Sequence, residues 1–226
     1  GGVLFFINLF IFLFYLILFD KFLYDYRLKF LNGNKQYFSF FFISTLIFLI
    51  GILDDKINLS ALKKSIFFTV ILIISTIDSN IAIRFLSFEF LSYKVFLSHL
   101  GIFFSIISIF YFMNAINMFD GINIQTPLYL LLLFSFLIFF KNENIVIFLL
   151  IPSIFFLILN IRGKCFLGNS GSYFLGFLIS IILIKINQAN PNMIKSEEVL
   201  IILSLPCFEL CRLFIERILK EKNPFS

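Results

Sequence analysis

Tryptophan is absent from this chain of 226 residues, histidine occurs once and cysteine three times. Cys165, Cys207 and Cys211 form no CxxC pair and no ligand cluster with His99. The spacing therefore excludes a cysteine-based metal ribbon or dithiol motif. Cys207 and Cys211 lie one helical turn apart and read as small apolar filler, and His99, at the head of an apolar run, reads as an interfacial residue. Charge is scarce too, at 14% of residues, and it sits in short clusters between apolar runs. The formal net charge is +5, but the basic residues are scattered among loops with no basic face, which excludes a nucleic-acid footprint. No internal repeat and no low-complexity linker divides the chain, so residues 1–226 are expected to form a single domain. The first apolar run exceeds a signal-peptide core and is followed by no small-residue cleavage site, so it is not read as a leader.

What is abundant is apolar surface. Hydrophobic residues make up 61%, phenylalanine alone contributes 37, and the mean hydropathy is +1.04. A soluble chain runs at about 45–50% apolar. The class expected is all-α: a polytopic helical membrane protein. Phe, Ile, Lys and Asn have AT-rich codons, so base composition contributes to the bias. Apolar runs at 3–19, 37–53, 65–77, 95–113, 127–140, 145–159, 172–187 and 198–214 predict about eight transmembrane helices. A span needs about 20 residues, so the runs at 65–77, 127–140 and 145–159 must borrow flanking residues. Lys141-Asn-Glu-Asn144 splits two of these runs into a helical hairpin, and the partial alternation over 81–93 predicts a small β-hairpin outside the bilayer. The chain starts at Gly1-Gly2 without methionine and stops at Asn223-Pro-Phe-Ser226, so it is expected to be truncated at both ends.

Eight alternating crossings sort the polar segments by face. The segments after the second, fourth, sixth and eighth runs fall on one side. They are Asp54-Asp55-Lys56, Asn114 to Asn123, Arg162 to Ser172, and the stretch with Glu209, Arg212, Glu216 and Arg217. The loops at 20–36, 78–94, 141–144 and 188–196 fall on the other and carry no comparable motif. Each side holds nine basic residues, so the positive-inside rule does not choose the cytoplasmic face.

The shared face has chemical character. Asn114, Asn117, Asp120 and Asn123 recur every three residues, which stacks side chains along one helix face. Gly121 permits a turn or the close approach of a ligand. Carboxylate and amide oxygens are hard donors of the kind magnesium accepts beside substrate phosphates, although Asn and Asp also simply cap helix ends. Asp54 and Asp55, near Lys56, Lys63 and Lys64, suit a metal, a proton or a phosphate, or equally a solvated mixed-charge loop. Phe166-Leu-Gly-Asn-Ser-Gly-Ser-Tyr-Phe-Leu-Gly176 is glycine-rich and opens a helix. Its N–H groups with Ser170 and Ser172 suit an anion, while Gly168, Gly171 and Gly176 equally suit a turn and close helix packing.

Taken in order, these segments resemble the polyprenyl-phosphate N-acetylhexosamine-1-phosphate transferases, the glycosyltransferase family 4 enzymes. That group includes phospho-MurNAc-pentapeptide transferase and undecaprenyl-phosphate GlcNAc-1-phosphate transferase. Gly1-Gly2 resembles the family's entry to a helix. Leu53 to Lys56, with Leu59-Ser60 and Lys64, is similar to its Asp-Asp motif, and Asn114 to Asn123 to its Asn-x-x-Asn-x-x-Asp-Gly motif. Asn160, Lys164 and Phe166 to Gly176 are similar to its Phe-x-Gly-Asp-x-Gly-Ser loop. Pro206 to Glu209, Arg212, Arg217 and Asn223 to Ser226 resemble the run before its histidine-rich loop.

The resemblance implies transfer of a sugar-1-phosphate from a UDP-N-acetylhexosamine to a polyprenyl phosphate with release of UMP, as a first step in cell-envelope glycan synthesis. It implies a multi-pass protein of the cell membrane, active at the cytoplasmic face, with the hairpin extracytoplasmic; a homodimer is compatible with it. By analogy Asp54 or Asp55 positions the lipid phosphate and Lys64 neutralises charge. Asn117 and Asn169 lie at Mg2+, with Mn2+ as the alternative metal. Asp120 is a further catalytic carboxylate that shapes the nucleotide site with Asn123, and Asn114, Gly168, Ser170 and Gly171 are binding residues. Position 169 is Asn where the family has Asp, and position 209 is Glu where Asp is usual. With an amide at 169, weak magnesium affinity and low turnover are expected. Two other readings stand beside this one: a silent relative that binds lipid phosphate or nucleotide, and a transporter of an anionic metabolite. Transporters favour midplane sites and repeats, and this chain has neither signature.

Overall fold

The structure, a computed structural model, describes residues 1–18, 34–78, 81–90, 93–141 and 146–221. The loop at 20–33, the 142–144 part of the predicted hairpin connection and the Asn223–Ser226 motif lie outside the described residues. Eight helices are described: α1 (Gly2–Leu18), α2 (Asn34–Ile57), α3 (Ala61–Asp78), α4 (Leu100–Phe119), α5 (Gln125–Phe139), α6 (Ile147–Ile161), α7 (Gly168–Ala189) and α8 (Ser196–Leu219). Two short strands, β1 (Phe85–Leu86) and β2 (Val95–Phe96), pair antiparallel with Phe85 opposite Phe96 and Leu86 opposite Val95.

Helix α7 is the axis of the fold. Nearly every residue from Ser170 to Asn187 is buried, and α4, α2 and α1 pack directly against it. Glycine makes this possible. A methyl group on Gly176 would come within 2.7 Å of the Met113 Cα on α4. One on Gly51 of α2 would overlap the Ser170 backbone, and one on Gly2 of α1 would overlap Gly171. Small residues let helix backbones approach where no aqueous driving force exists between them. Phenylalanine fills the remaining space, as where Phe6 stacks on Phe48 at 4.3 Å and meets Phe174 edge-on at 5.7 Å. Four buried serine hydroxyls are satisfied within their own helices: Ser44, Ser105, Ser153 and Ser180 each donate to the carbonyl four residues back.

The helical membrane class holds, with a correction to the span count. Among the described residues, three helical segments are long and apolar enough to cross a bilayer: Phe38–Ile57, Leu100–Phe119 and Gly168–Ala189. Gly2–Tyr15, Gln125–Phe139 and Ile147–Ile161 are apolar but shorter. A helix of fifteen residues reaches about 22 Å, less than the ~30 Å of a bilayer's hydrocarbon core. The hairpin also differs from expectation. It exists, but its second strand lies beyond 93, in residues that seemed to open the next apolar run, and α4 starts only at Leu100. Val95 and Phe96 are β-branched and aromatic, so their apolarity fits a strand as well as a helix.

The two ends of α7 are built differently. At its far end Gln188 accepts the Arg84 N–H at 2.9 Å and donates to the Phe85 carbonyl at 3.0 Å, tying the hairpin down. Ser196 accepts the Ser87 N–H at 2.9 Å, and Lys195 pairs with Glu89 at 3.0 Å. At its near end meet the last turns of α2 and α4 and the segment leaving α6.

Candidate active site

The near end is assembled from carboxylates that accept backbone N–H groups. Asp55, on the last turn of α2, accepts the N–H of Asn169 at 2.8 Å and of Ser170 at 3.1 Å. It thereby caps the first turn of α7, where unpaired N–H groups and the helix dipole favour negative charge. Gly168 enters that turn with φ +71°, and a side chain there would come within 3.2 Å of Asp55 Oδ2. Ser172 donates to the Gly168 carbonyl, which closes the turn from below. The N-terminus expected to take an anion thus already holds the chain's own carboxylate.

Asp54, one residue earlier, is fully buried and faces the other way. It accepts the Leu59 N–H at 2.9 Å and pairs with Lys64 at 2.9 Å. These bonds hold the turn from α2 into α3, where Asn58 adopts a left-handed φ of 47° that Asn tolerates better than most residues. The buried carboxylate is tolerable because a cation and a backbone donor both serve it.

Asp120, the residue after α4, accepts the Leu167 N–H at 2.9 Å and so ties the end of α4 to the entry of α7. Burial pushes its carboxyl up from the ordinary range to about 6, against the opposing pull of the hydrogen bond from the Leu167 N–H. It is the site carboxylate poised to change charge near neutral pH. Below it the Thr126 hydroxyl donates to the Phe119 carbonyl at 3.1 Å.

Three expected residues sit around this core, and three stand apart from it. Asn117 donates from Nδ2 to the Tyr173 hydroxyl at 3.2 Å, joining α4 to α7. Asn169 is half-buried one turn above Tyr173 on α7, and Ser170 is buried beside it. Asn114 donates back to the Phe110 carbonyl at 2.8 Å within its own helix, Asn123 is exposed on the 121–124 turn, and Gly171 faces Gly2. On α8, Arg212 bridges Glu209 at 2.6 Å and Glu216 at 3.0 Å, and Lys220 also pairs with Glu216. Those charges serve one another rather than the site.

Two residues that lie within the sequence motifs but received no role there also contribute. Asn160, almost wholly buried, accepts the Ile124 N–H at 2.6 Å and donates to the Cys165 carbonyl at 2.8 Å. It joins the turn after α4 to the turn after α6. Tyr173 is the second. Its i,i+4 spacing from Asn169 was a usable signal, but it stands at the head of the apolar run 172–187 and carried no role of its own in the sequence. Among the described residues no three His, Cys, Asp or Glu side chains gather as a metal site.

Comparison with known proteins follows the same residues. The model described as Glycosyl transferase family 4 matches residues 37–187. The undecaprenyl-phosphate alpha-N-acetylglucosaminyl 1-phosphate transferase of Escherichia coli O157:H7 is 26% identical over 189 residues, covering 78% of this chain and 52% of that protein. The probable undecaprenyl-phosphate N-acetylglucosaminyl 1-phosphate transferase of Bacillus subtilis (strain 168) is 30% identical over 189 residues, covering 80% and 52%. The chain spans about half the length of the curated relatives it matches. No solved structure matches it.

Proposed function

Because this chain belongs to glycosyl transferase family 4, we propose that it serves transfer of an N-acetylhexosamine-1-phosphate from a UDP-sugar to a polyprenyl phosphate. An oxygen of the lipid phosphate bonds to the β-phosphorus of the UDP-sugar. The bond from that phosphorus to the bridging oxygen breaks, and UMP leaves with the electron pair. The observation that carries this reading is the meeting of three separate chain segments at one end of α7, through Asp55 with Asn169 and Ser170 and through Asp120 with Leu167. Phosphoryl transfer asks a protein mainly for positioning and charge stabilisation, and carboxylates, amides and a lysine at fixed helix ends supply both.

In this reading Lys64, held by Asp54, is the positive charge that meets the incoming lipid phosphate. Asp55 keeps the 168–170 backbone in register. Asp120 holds or releases a proton near neutral pH, and with Asn123 on the adjacent turn it borders the nucleotide. The side-chain oxygens of Asn117 and Asn169 would hold magnesium or manganese, which when bound neutralises phosphate charge. These are hard, neutral oxygen donors, and they suit a magnesium ion kept largely by water and substrate phosphates. The protein then lies in the cell membrane with this end at the cytoplasmic face and the hairpin outside.

The test is UMP release from UDP-N-acetylglucosamine by the full-length protein in lipid nanodiscs, with and without undecaprenyl phosphate. Lipid-dependent release is the expected result. Nucleotide binding without release, or release indifferent to the lipid, would overturn the reading. The amide at 169 favours one second reading, a relative that binds nucleotide and lipid phosphate without turning them over, and the same assay separates the two.

A further inference from the structure

An asparagine amide has a donor end and an acceptor end, and its partners decide which end faces a site. Asn117 meets Tyr173, and the hydroxyl of Tyr173 stands in the field of two carboxylates, since Asp54 and Asp55 both act on it electrostatically. A hydroxyl dipole turns with the local field. Because it accepts from Asn117, a lone pair of that hydroxyl faces α4. The Asn117 Nδ2–H takes that lone pair at 3.2 Å. The acceptor end, Oδ1, then faces away from Tyr173, and among the described residues it takes no hydrogen bond.

The tyrosine is itself firmly placed. It is 2% exposed, and its ring lies 4.7 Å from that of Phe68 on α3, one turn beyond Lys64. The close contact of Gly176 with Met113 draws α4 and α7 together one turn deeper, at 2.7 Å for an added methyl group. From α7, Tyr173 so touches α4 and α3, and all three helices carry a candidate site residue: Asn169, Asn117 and Lys64.

We propose that Tyr173 is a positioning residue: it holds the Asn117 amide with Oδ1 presented to a divalent cation. The idea rests on the reading of Asn117 as a cation donor given above. It adds a residue that touches neither cation nor substrate and acts through the asparagine. Outer partners of metal ligands commonly change metal affinity by about 10-fold to 100-fold when removed.

The experiment uses the full-length protein in nanodiscs and four forms: parent, Tyr173→Phe, Asn117→Ala and the double variant. Mn2+ binding is measured directly by electron paramagnetic resonance, without turnover. Thermal unfolding and the magnesium dependence of UMP release are measured alongside. Tyr173→Phe keeps the ring and loses only the hydroxyl. It is expected to weaken Mn2+ binding about tenfold, to raise the magnesium concentration for half-maximal release with little change in kcat at saturating metal, and to leave thermal unfolding unchanged. The double variant is expected to match Asn117→Ala, because a residue acting only through Asn117 has nothing left to position. Unchanged Mn2+ affinity in Tyr173→Phe, or effects that add in the double variant, would overturn the proposal and leave the cation reading intact. Failure of the parent to bind Mn2+ would overturn both.

Discussion

The Asp55 carboxylate accepts the Asn169 backbone N–H at 2.8 Å, so a residue at the end of α2 holds the first turn of α7, 114 positions later in the chain. Two segments that sequence comparison treats as separate motifs are therefore one structural unit. A substitution in one displaces the other.

Asp55→Ala should leave the Asn169 and Ser170 N–H groups without their carboxylate. Loss of such a cap costs about 0.5–2 kcal/mol, and activity should fall because the 168–170 backbone moves. Asp55→Asn keeps one acceptor oxygen and should recover most of the stability. Thermal unfolding of both variants in detergent decides the point: equal melting temperatures for parent and Asp55→Ala would mean that the cap does not hold α7.

Asp120 should give the protein a pH dependence of a particular sign. Burial raises its carboxyl from 3.8 to about 6 in the folded protein. The folded state thus binds the proton more tightly than the unfolded state, so the contribution is fully present below about 4. It is lost as pH rises through about 6, and stability falls across that window. Asp120→Asn should flatten this slope. If the ionised carboxylate is what the reaction needs, UMP release should climb over the same interval in the parent. A pH-independent melting temperature between 4 and 7 in the parent would contradict the assignment.

Asn169→Asp should tighten magnesium binding and raise turnover in the full-length protein, because an added negative oxygen donor suits a cation otherwise held by neutral amides. Parent and variant are to be compared in Mn2+ binding and in the magnesium dependence of UMP release. Superimposable curves would place residue 169 away from the metal.

Gly51→Ala should be destabilising even though alanine is the better helix former. The new methyl group would overlap the Ser170 backbone, and forcing extra atoms into a tight contact costs about 1–3 kcal/mol. The displaced backbone is the one Asp55 caps, so activity should drop along with stability. Gly163→Ala is the control: φ is +64° there and nothing lies within 4 Å of the added methyl, so its cost is backbone strain alone. Indistinguishable melting temperatures for parent and Gly51→Ala would refute the close approach of α2 and α7.

Cysteines placed at Ser60 and Lys164 should react with an impermeant thiol reagent from one side of the membrane, and cysteines at Lys94 and Asn192 from the other. Labelling of Lys94 and Lys164 from the same side would end the arrangement in which the carboxylates share one face.

Much of this protein is determined locally and could be read in order along the chain. Long apolar runs exclude an aqueous fold and set eight helices, because a backbone in lipid must satisfy its hydrogen bonds within each segment. Counting those runs placed Asp54-Asp55, Asn114 to Asp120 and the glycine-rich segment on one face, and the hydrogen bonds that Asp55 and Asp120 accept from N–H groups at the entry of α7 join them there. What each side chain does at that face was decided only by tertiary contact. Nothing in the pair Asp54-Asp55 says that the first turns inward to Lys64 while the second caps another helix; that division follows from the 100° rotation between neighbours on a helix and from which helix stands on each side. Likewise Gly171 and Gly176 look alike in a glycine-rich string, yet one meets α1 and the other α4. Tyr173 belonged to an apolar run until α4 brought Asn117 to its hydroxyl. Hydrophobicity is a property of each segment alone, whereas a hydrogen-bond partner across two helices exists only once both are packed.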